Sequence, residues 1–419
     1  YGYSFVDMVG CVSAYRSPGF LFFLTGTYGL FGFENFFVQA LIQNIIAVIV
    51  VYAVYRLGFE ITKDRRVGWL AGLMIALHPY TFYHYTQYYH TMISSLLIVL
   101  LMLVLLKLER TKRWKWAFWG GVLIAALAYI QGTILPATVF LSLWLFIRWW
   151  PDWKRSIGAI ALMAVVSAGL IAPWTLRNYA AFHAFVPLTT DLGHALAKAN
   201  HENNYLLTKL GYPQETATNI RITDEAHPLQ VRYEMRPEVR EDIELHGTFQ
   251  QSYLYETWHP LEPGLRGTCE EQREFSEPAF NTYWSGKAKS WIIKSWPDVI
   301  QLQAQKVAQF WTPKLQPSKR YGASWSFGHT GIIAWLATWS LAAWVLMIEI
   351  LAMIGLWFAG KKRLLGRIAP LLIVMAVYTL MHSFFAGYTK YRIPLDNLLA
   401  VIAAVSMISI WDLLRWIRK

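Results

Sequence analysis

Charge is what this 419-residue sequence has least of. Only 15% of its residues are Asp, Glu, Lys or Arg, against 55% hydrophobic, and its mean hydropathy is +0.31. A soluble chain of this length needs far more polar surface to cover its core. Cysteine is nearly missing as well, with Cys11 and Cys269 the only two. They form no CxxC and no Cys/His cluster, which argues against a structural zinc site. There is no P-loop, no GxGxxG after a strand and no HExxH, so ATP-driven transport has no support here. Internal repeats and low-complexity segments are also missing. Nothing at the start resembles a signal peptide. The chain opens at Tyr1 rather than at Met, and an upstream segment is expected to precede it.

What fills the sequence instead is apolar runs, most of them apolar all round rather than on one face. They lie at residues 38–57, 67–79, 91–108, 116–131, 133–149, 157–173, 330–358, 369–386 and 395–414. Their lengths approach or reach the ~20 residues that a helix needs to cross a ~30 Å hydrocarbon core. The stretch 17–32 is apolar but short and Gly-rich. An all-α polytopic membrane protein is therefore expected.

The net charge of +12 sits in short loops between these runs: Arg56/Lys63/Arg65/Arg66, Lys107/Arg110/Lys112/Arg113/Lys115, Arg148/Lys154/Arg155, Lys361/Lys362/Arg363/Arg367 and Arg415/Arg418/Lys419. Simple alternation places all of them on one side, provided that 17–32 lies on the outer face without crossing. That side is then cytoplasmic. The same placement replaces nucleic-acid binding as the explanation of the basic charge. The division expected is an N-terminal membrane module over 1–173, a mixed or mainly helical extramembrane domain over 174–329, and C-terminal membrane helices over 330–419. The stretch 280–312, with Trp284, Trp291, Trp296 and Trp311, reads as an amphipathic helix broken at Pro297, lying either in the interface or in the domain core. Cys11 and Cys269 both fall on the outer side, as a disulfide or as two separate thiols.

Four outer-face clusters carry polar chemistry. Tyr15-Arg16-Ser17-Pro18-Gly19 sets an Arg beside a turn, to meet a lipid phosphate or to snorkel from a helix entry. Residues 78–90 are dense in His and Tyr, including Tyr89 and His90, groups that bond and stack on sugars and also populate interfacial belts. Pro173-Trp174-Thr175-Leu176-Arg177-Asn178-Tyr179 puts Arg177 at the outer level, against the positive-inside bias. Lys390-Tyr391-Arg392-Ile393-Pro394-Leu395-Asp396 sets two more cations there, with Asp396 in reach of a salt bridge. His78, His84 and His90 lie six apart, a poor spacing for a metal site on one helical face.

In order along the chain, these clusters resemble the GT-C superfamily of polyprenyl-phosphate-sugar glycosyltransferases, nearest to family 39, the protein O-mannosyltransferases and lipid A aminoarabinose transferases. Ala14-Tyr15-Arg16-Ser17-Pro18-Gly19-Phe20-Leu21 is similar to an AYRPPGYP-like stretch. Pro173 to Tyr179, with Phe182, Phe185, Val186, Pro187, Thr189 and Thr190, is similar to PWTxRNY and the Thr-rich turn after it. Asn200, Asn203 and Asn204 stand near a Gly-Asn-Asn element. Lys306, Phe310 and Trp311 match K-x-x-x-F-W, and Lys390 to Pro394 matches RYRxP. Two departures stand out. The family's catalytic acid would precede Tyr1, leaving Asp7 as the only nearby carboxylate. The acid of the second outer loop is replaced by Tyr89-His90-Thr91, so that His90 substitutes, the chemistry is altered, or activity is lost.

The resemblance implies inverting transfer of a sugar from a polyprenyl-phosphate donor to an acceptor at the outer face. It further implies a bacterial inner-membrane location with the large domain periplasmic. Arg16, Arg177, Lys390 and Arg392 are the expected phosphate-binding cations, and their convergence on one pocket is the expected geometry. Tyr15, Tyr89, His90, Asn178 and Asp191 are expected to contact sugar or acceptor. The cofactor is left open, since a divalent metal occurs in some relatives but has no supporting ligand spacing here. Partners are the sugar-carrying lipid, membrane lipids and, against the apolar helices, other membrane proteins. The alternatives are a non-catalytic subunit of the same fold acting as a scaffold, and a lipid-linked sugar transporter.

Overall fold

The computed structural model describes residues 13–33, 35–79, 89–200, 220–223, 231–234, 277–312, 332–385 and 389–418. Asp7, Cys11, Cys269, His84 and the Asn203-Asn204 pair lie outside these residues. Among the described residues the chain is overwhelmingly helical. The helices are α1 (Pro18–Phe31), α2 (Phe36–Thr62), α3 (Arg65–Ala76), α4 (Thr91–Thr111), α5 (Trp114–Ile130), α6 (Leu135–Arg148) and α7 (Trp153–Phe182). They are followed by α8 (Leu192–Ala199), α9 (Glu277–Lys294), α10 (Trp296–Trp311), α11 (Ile332–Lys361), α12 (Leu365–Phe385) and α13 (Thr389–Ile417). One antiparallel pair, β1 (Ile220–Thr223) and β2 (Val231–Glu234), sets Ile220 opposite Glu234.

Among the described residues, six spans are long and apolar enough to cross a membrane: Phe36–Thr62, Thr91–Thr111, Trp150–Phe182, Ala342–Lys361, Leu365–Phe385 and Tyr391–Ile417. The chain is an all-α polytopic integral membrane protein. Not every apolar run becomes a span. The run at 67–79 forms α3, whose 12 residues reach only about 18 Å. That is shorter than a ~30 Å hydrocarbon core, as are α5 (17 residues) and α6 (14 residues), which the runs at 116–131 and 133–149 form. The run at 17–32 forms the 14-residue α1, also short.

Local sequence sets the helix ends. The Asn35 side chain accepts from the Val38 amide at 3.2 Å, and the Asp64 carboxylate accepts from the Arg66 amide at 2.8 Å, each capping a helix N-terminus. Lys63 (φ 62°) and Lys112 (φ 52°) end α2 and α4 in the left-handed conformation, their amides returning to Phe59 and Leu108. The break expected at Pro297 falls two residues earlier, at Ser295. Pro297 sits in the first turn of α10, where its missing amide hydrogen costs nothing. The helix expected to end at 173 runs on to Phe182, through Pro173. A proline ring crowds the carbonyl four residues back, which here belongs to Gly169.

The chain divides into two compact units. The first comprises 1–17, 172–310 and 379–388; the second comprises 18–171, 311–378 and 389–419. In the second unit α13 is the axis: 83% of its most apolar window is buried, and α2, α3, α4 and α11 all pack on it. Its close approach to α11 depends on Gly355, where a Cβ would strike the Ile402 carbonyl. In the first unit α8 packs on α9, and the Gly193 amide donates to Asn281 Oδ1 at the crossing.

Candidate functional site

In the first unit, the PWTLRNY string forms the last turns of α7, and most of its polar groups hold the chain that follows. The Trp174 indole donates to the Leu188 carbonyl at 2.8 Å, and the Thr175 hydroxyl to the Pro187 carbonyl at 3.0 Å. Asn178 is fully buried, its amide donating to the Val186 carbonyl at 3.0 Å and, at 3.4 Å, to that of Leu188. Residues 174 and 178 lie one turn apart, so one helical face zips the returning strand along itself. Arg177 lies over the Trp174 ring at 4.6 Å and donates through Nη1 to the Ser13 carbonyl and to Asn178 Oδ1, both at 2.8 Å. The Thr190 amide donates to the Ala14 carbonyl at 3.0 Å. The segment 13–17 is thereby fastened to 186–191.

This fastening presents Arg16. Its side chain is 64% exposed, lies 5.1 Å over the Tyr15 ring and comes within 3.9 Å of Asp191 Oδ2. Asp191 Oδ1 accepts from the Thr189 hydroxyl at 2.9 Å. Partial burial pushes the Asp191 carboxyl above the usual carboxylate range, against the pull of Thr189 and Arg16. Of the residues expected here, Tyr15, Arg16, Arg177, Asn178 and Asp191 thus fall in one unit. Arg177 and Asn178 are chiefly occupied with backbone carbonyls, while Arg16 and Asp191 offer an ionic surface.

The same unit holds a group whose importance spacing alone underrates. Lys306 is fully buried on the inner face of α10 with Val299, Leu302 and Phe310. Its ammonium donates to the Ala199 carbonyl at the end of α8 and lies 3.5 Å from Asn200 Oδ1. Asn200 also receives the Gln303 amide at 2.7 Å and donates to the carbonyls of Leu196 (2.8 Å) and Phe384 (2.7 Å). The Phe310 ring stacks on His382 at 6.0 Å. Desolvation pushes the Lys306 ammonium down to about 7.

In the second unit, Tyr89, His90 and Arg392 meet a different set of partners. The Tyr89 and Tyr391 hydroxyls are 3.0 Å apart, and the His90 ring stacks on Tyr391 at 6.3 Å. His90 Nδ1 lies 3.3 Å from the Ser94 hydroxyl, which in turn donates to Gln131 Oε1 at 3.4 Å. The Tyr378 hydroxyl donates to the same oxygen at 2.8 Å. Arg392 is fully buried in the first turn of α13, with Nε 3.1 Å from Asp396 Oδ1 and Nη1 3.0 Å from Glu349 Oε1. Its guanidinium lies 5.7 Å from the Trp311 ring centroid. His78 Nε2 approaches Asp396 Oδ2 at 3.8 Å. The i,i+4 pairing of Arg392 with Asp396 was visible in the sequence. Glu349, from a distant apolar helix, was not, and its only signal was a lone carboxylate inside a membrane span. Backbone alone is described for Lys390, on α13. Among the described residues no group of three or more His, Cys, Asp or Glu could hold a metal ion.

Residues 15–176 match the family model described as dolichyl-phosphate-mannose-protein mannosyltransferase. The match supports a GT-C glycosyltransferase family for this stretch. The family is one of membrane glycosyltransferases that use a lipid-linked sugar donor. The matched stretch takes in Tyr15, Arg16, Tyr89 and His90 and stops one residue short of Arg177; the polar segment and Arg392 lie beyond it. No curated protein and no solved structure was found to match the chain.

Proposed function

We propose that this protein transfers a sugar from a polyprenyl-phosphate donor to an acceptor hydroxyl or amine at the outer membrane face, with inversion. The observation that carries the reading is the Arg16–Asp191 pair. An arginine is held largely exposed on a segment that is pinned from two sides, next to a carboxylate whose proton affinity is raised. The family match supports the same chemistry class. When the glycosyl–phosphate bond breaks, charge grows on the phosphate oxygens, and a pre-positioned guanidinium stabilises it by about 2–4 kcal/mol. In this reading Arg16 is the candidate phosphate cation of the first unit, and Arg392, with Lys390 two residues before it, is that of the second. Arg177 positions the first segment, and Tyr15, Tyr89, His90 and Asp191 face sugar or acceptor. The orientation follows the positive-inside placement of the basic loops, with the large polar segment periplasmic in a bacterial inner membrane.

The test is transfer of labelled sugar from a synthetic polyprenyl-phosphate donor by the full chain in nanodiscs. Arg16→Gln is expected to lower kcat/KM by about 30- to 1,000-fold at unchanged thermal stability. Unchanged turnover in that variant refutes the cation role. A scaffold reading of the same fold is favoured by one feature, the Tyr89-His90-Thr91 sequence where relatives carry an acid, and no transfer by the unaltered chain under any donor would support it.

A further inference from the structure

The ion cluster around Arg392 carries two carboxylates for one guanidinium. Asp396 lies on the same helix, one turn away, and is 2% exposed. It suffices to neutralise Arg392. Glu349 is the supernumerary partner, and it comes from α11. A carboxylate within a membrane span is expensive and needs a reason. Its placement is specific. Val345, Ile348 and Ala352 form the buried seam of α11, whereas Leu346, Ile350 and Met353 are 46%, 43% and 64% exposed. Glu349 stands on the border between the two stripes, with its side chain 18% exposed, where the seam opens toward the apolar face. The Arg392 fork is meanwhile not saturated. Neither Nε, which is at ion-pair distance from Asp396 Oδ1, nor Nη2 makes a hydrogen bond among the described residues, and neither does Asp396 Oδ2, which faces His78. A guanidinium in low dielectric with an unfilled donor and a removable carboxylate is matched to a planar or tetrahedral oxyanion that takes two of its donors at once.

We propose that Glu349 is an exchangeable counter-ion, displaced from Arg392 when the phosphate of a lipid-linked donor enters from the lipid-facing side of α11. This rests on the donor-phosphate reading of Arg392 given above and adds how that site is kept when empty. Glu349 holds Nη1 until the phosphate takes both Nη1 and Nη2. Asp396 stays at ion-pair distance from Nε throughout and keeps the guanidinium neutralised. A phosphate and both carboxylates around one cation would leave excess negative charge in a region without water, so occupancy by Glu349 and by phosphate exclude each other. The expected kinetic sign is unusual, because removing an acidic residue from the site strengthens donor binding.

The experiment measures binding of a short-chain polyprenyl monophosphate to the full chain in phosphatidylcholine nanodiscs. Glu349→Gln keeps the shape of the side chain and is expected to tighten binding by about 10-fold or more. Glu349→Asp, which retains the charge on a shorter stem, is expected to stay within a few-fold of the unaltered chain. Arg392→Lys keeps the charge beside Asp396 but loses the fork, and is expected to weaken binding. An affinity in Glu349→Gln that is unchanged or lower overturns the exchange while leaving the phosphate role of Arg392 intact. If Arg392→Lys binds as tightly as the unaltered chain, the donor-phosphate reading of Arg392 itself fails. Inorganic phosphate and phosphatidylglycerol are run as separate arms. Equal tightening for either one in Glu349→Gln overturns the assignment to a lipid-linked donor.

Discussion

Replacing Lys306 by Met tests the energetics of the first unit most directly. The ammonium is fully buried and meets a carbonyl and an amide oxygen, and its ordinary value of 10.5 falls to about 7. Between those two values the unfolded chain holds a proton that the folded chain has released. Folding stability therefore rises with pH across that window, at about 1.4 kcal/mol per unit. The limit is about 5 kcal/mol, all of it lost below the folded value, where the ammonium is charged without a counter-ion among its contacts. Met fills the same volume without charge, but leaves the Ala199 carbonyl and Asn200 Oδ1 short of a donor, at a cost of about 1–3 kcal/mol. The two effects predict a crossing. Lys306→Met is more stable than the unaltered protein at pH 6 and less stable at pH 10. Thermal unfolding in detergent from pH 6 to 10 reads the difference between the two proteins, which cancels the other titrating groups. A difference that is constant across this range would refute a desolvated lysine at this position.

Two further outcomes follow from the same unit. Asn178→Ala strips donors from the Val186 and Leu188 carbonyls and an acceptor from Arg177, so thermal stability is expected to fall by about 2–4 kcal/mol. Donor KM in the surviving folded fraction should stay within about twofold, since the side chain is buried and bonded to backbone carbonyls and Arg177. Asp191→Asn removes a carboxyl whose folded proton affinity lies above its unfolded one, a group that contributes stability at low pH and loses it as pH rises. The variant should therefore gain on the unaltered protein at pH 7, and the gain should shrink on acidification toward pH 4; a gain independent of pH would count against it.

The membrane architecture was legible because hydropathy and loop charge are summed over many residues and forgive local errors. Length was the weaker guide. The run at 67–79 carries the right composition, but its described helix has only 12 residues. The end of α7 was misplaced because Pro173 looks like a stop, yet the helix runs through it to Phe182. At the candidate site, residue types were readable but commitments were not. Arg177 and Arg16 look alike in sequence, yet one is bonded to the Ser13 carbonyl and the other is largely exposed. Asn178 reads as a sugar ligand until its amide is found bonded to the chain eight and ten residues on. Glu349 could not be assigned to Arg392 from sequence, because 43 residues separate them and no periodicity links two different helices.

The placement of α13 bears on how the protein is made. The helix against which α2, α3, α4 and α11 all pack is the last of these to leave the ribosome. Through most of synthesis the earlier helices sit in the bilayer with their small-residue and polar faces turned to lipid or to chaperones, awaiting a keystone. Maturation of the second unit is then a late event, and nascent chains stalled before residue 389 should be the form that membrane proteases recognise and clear.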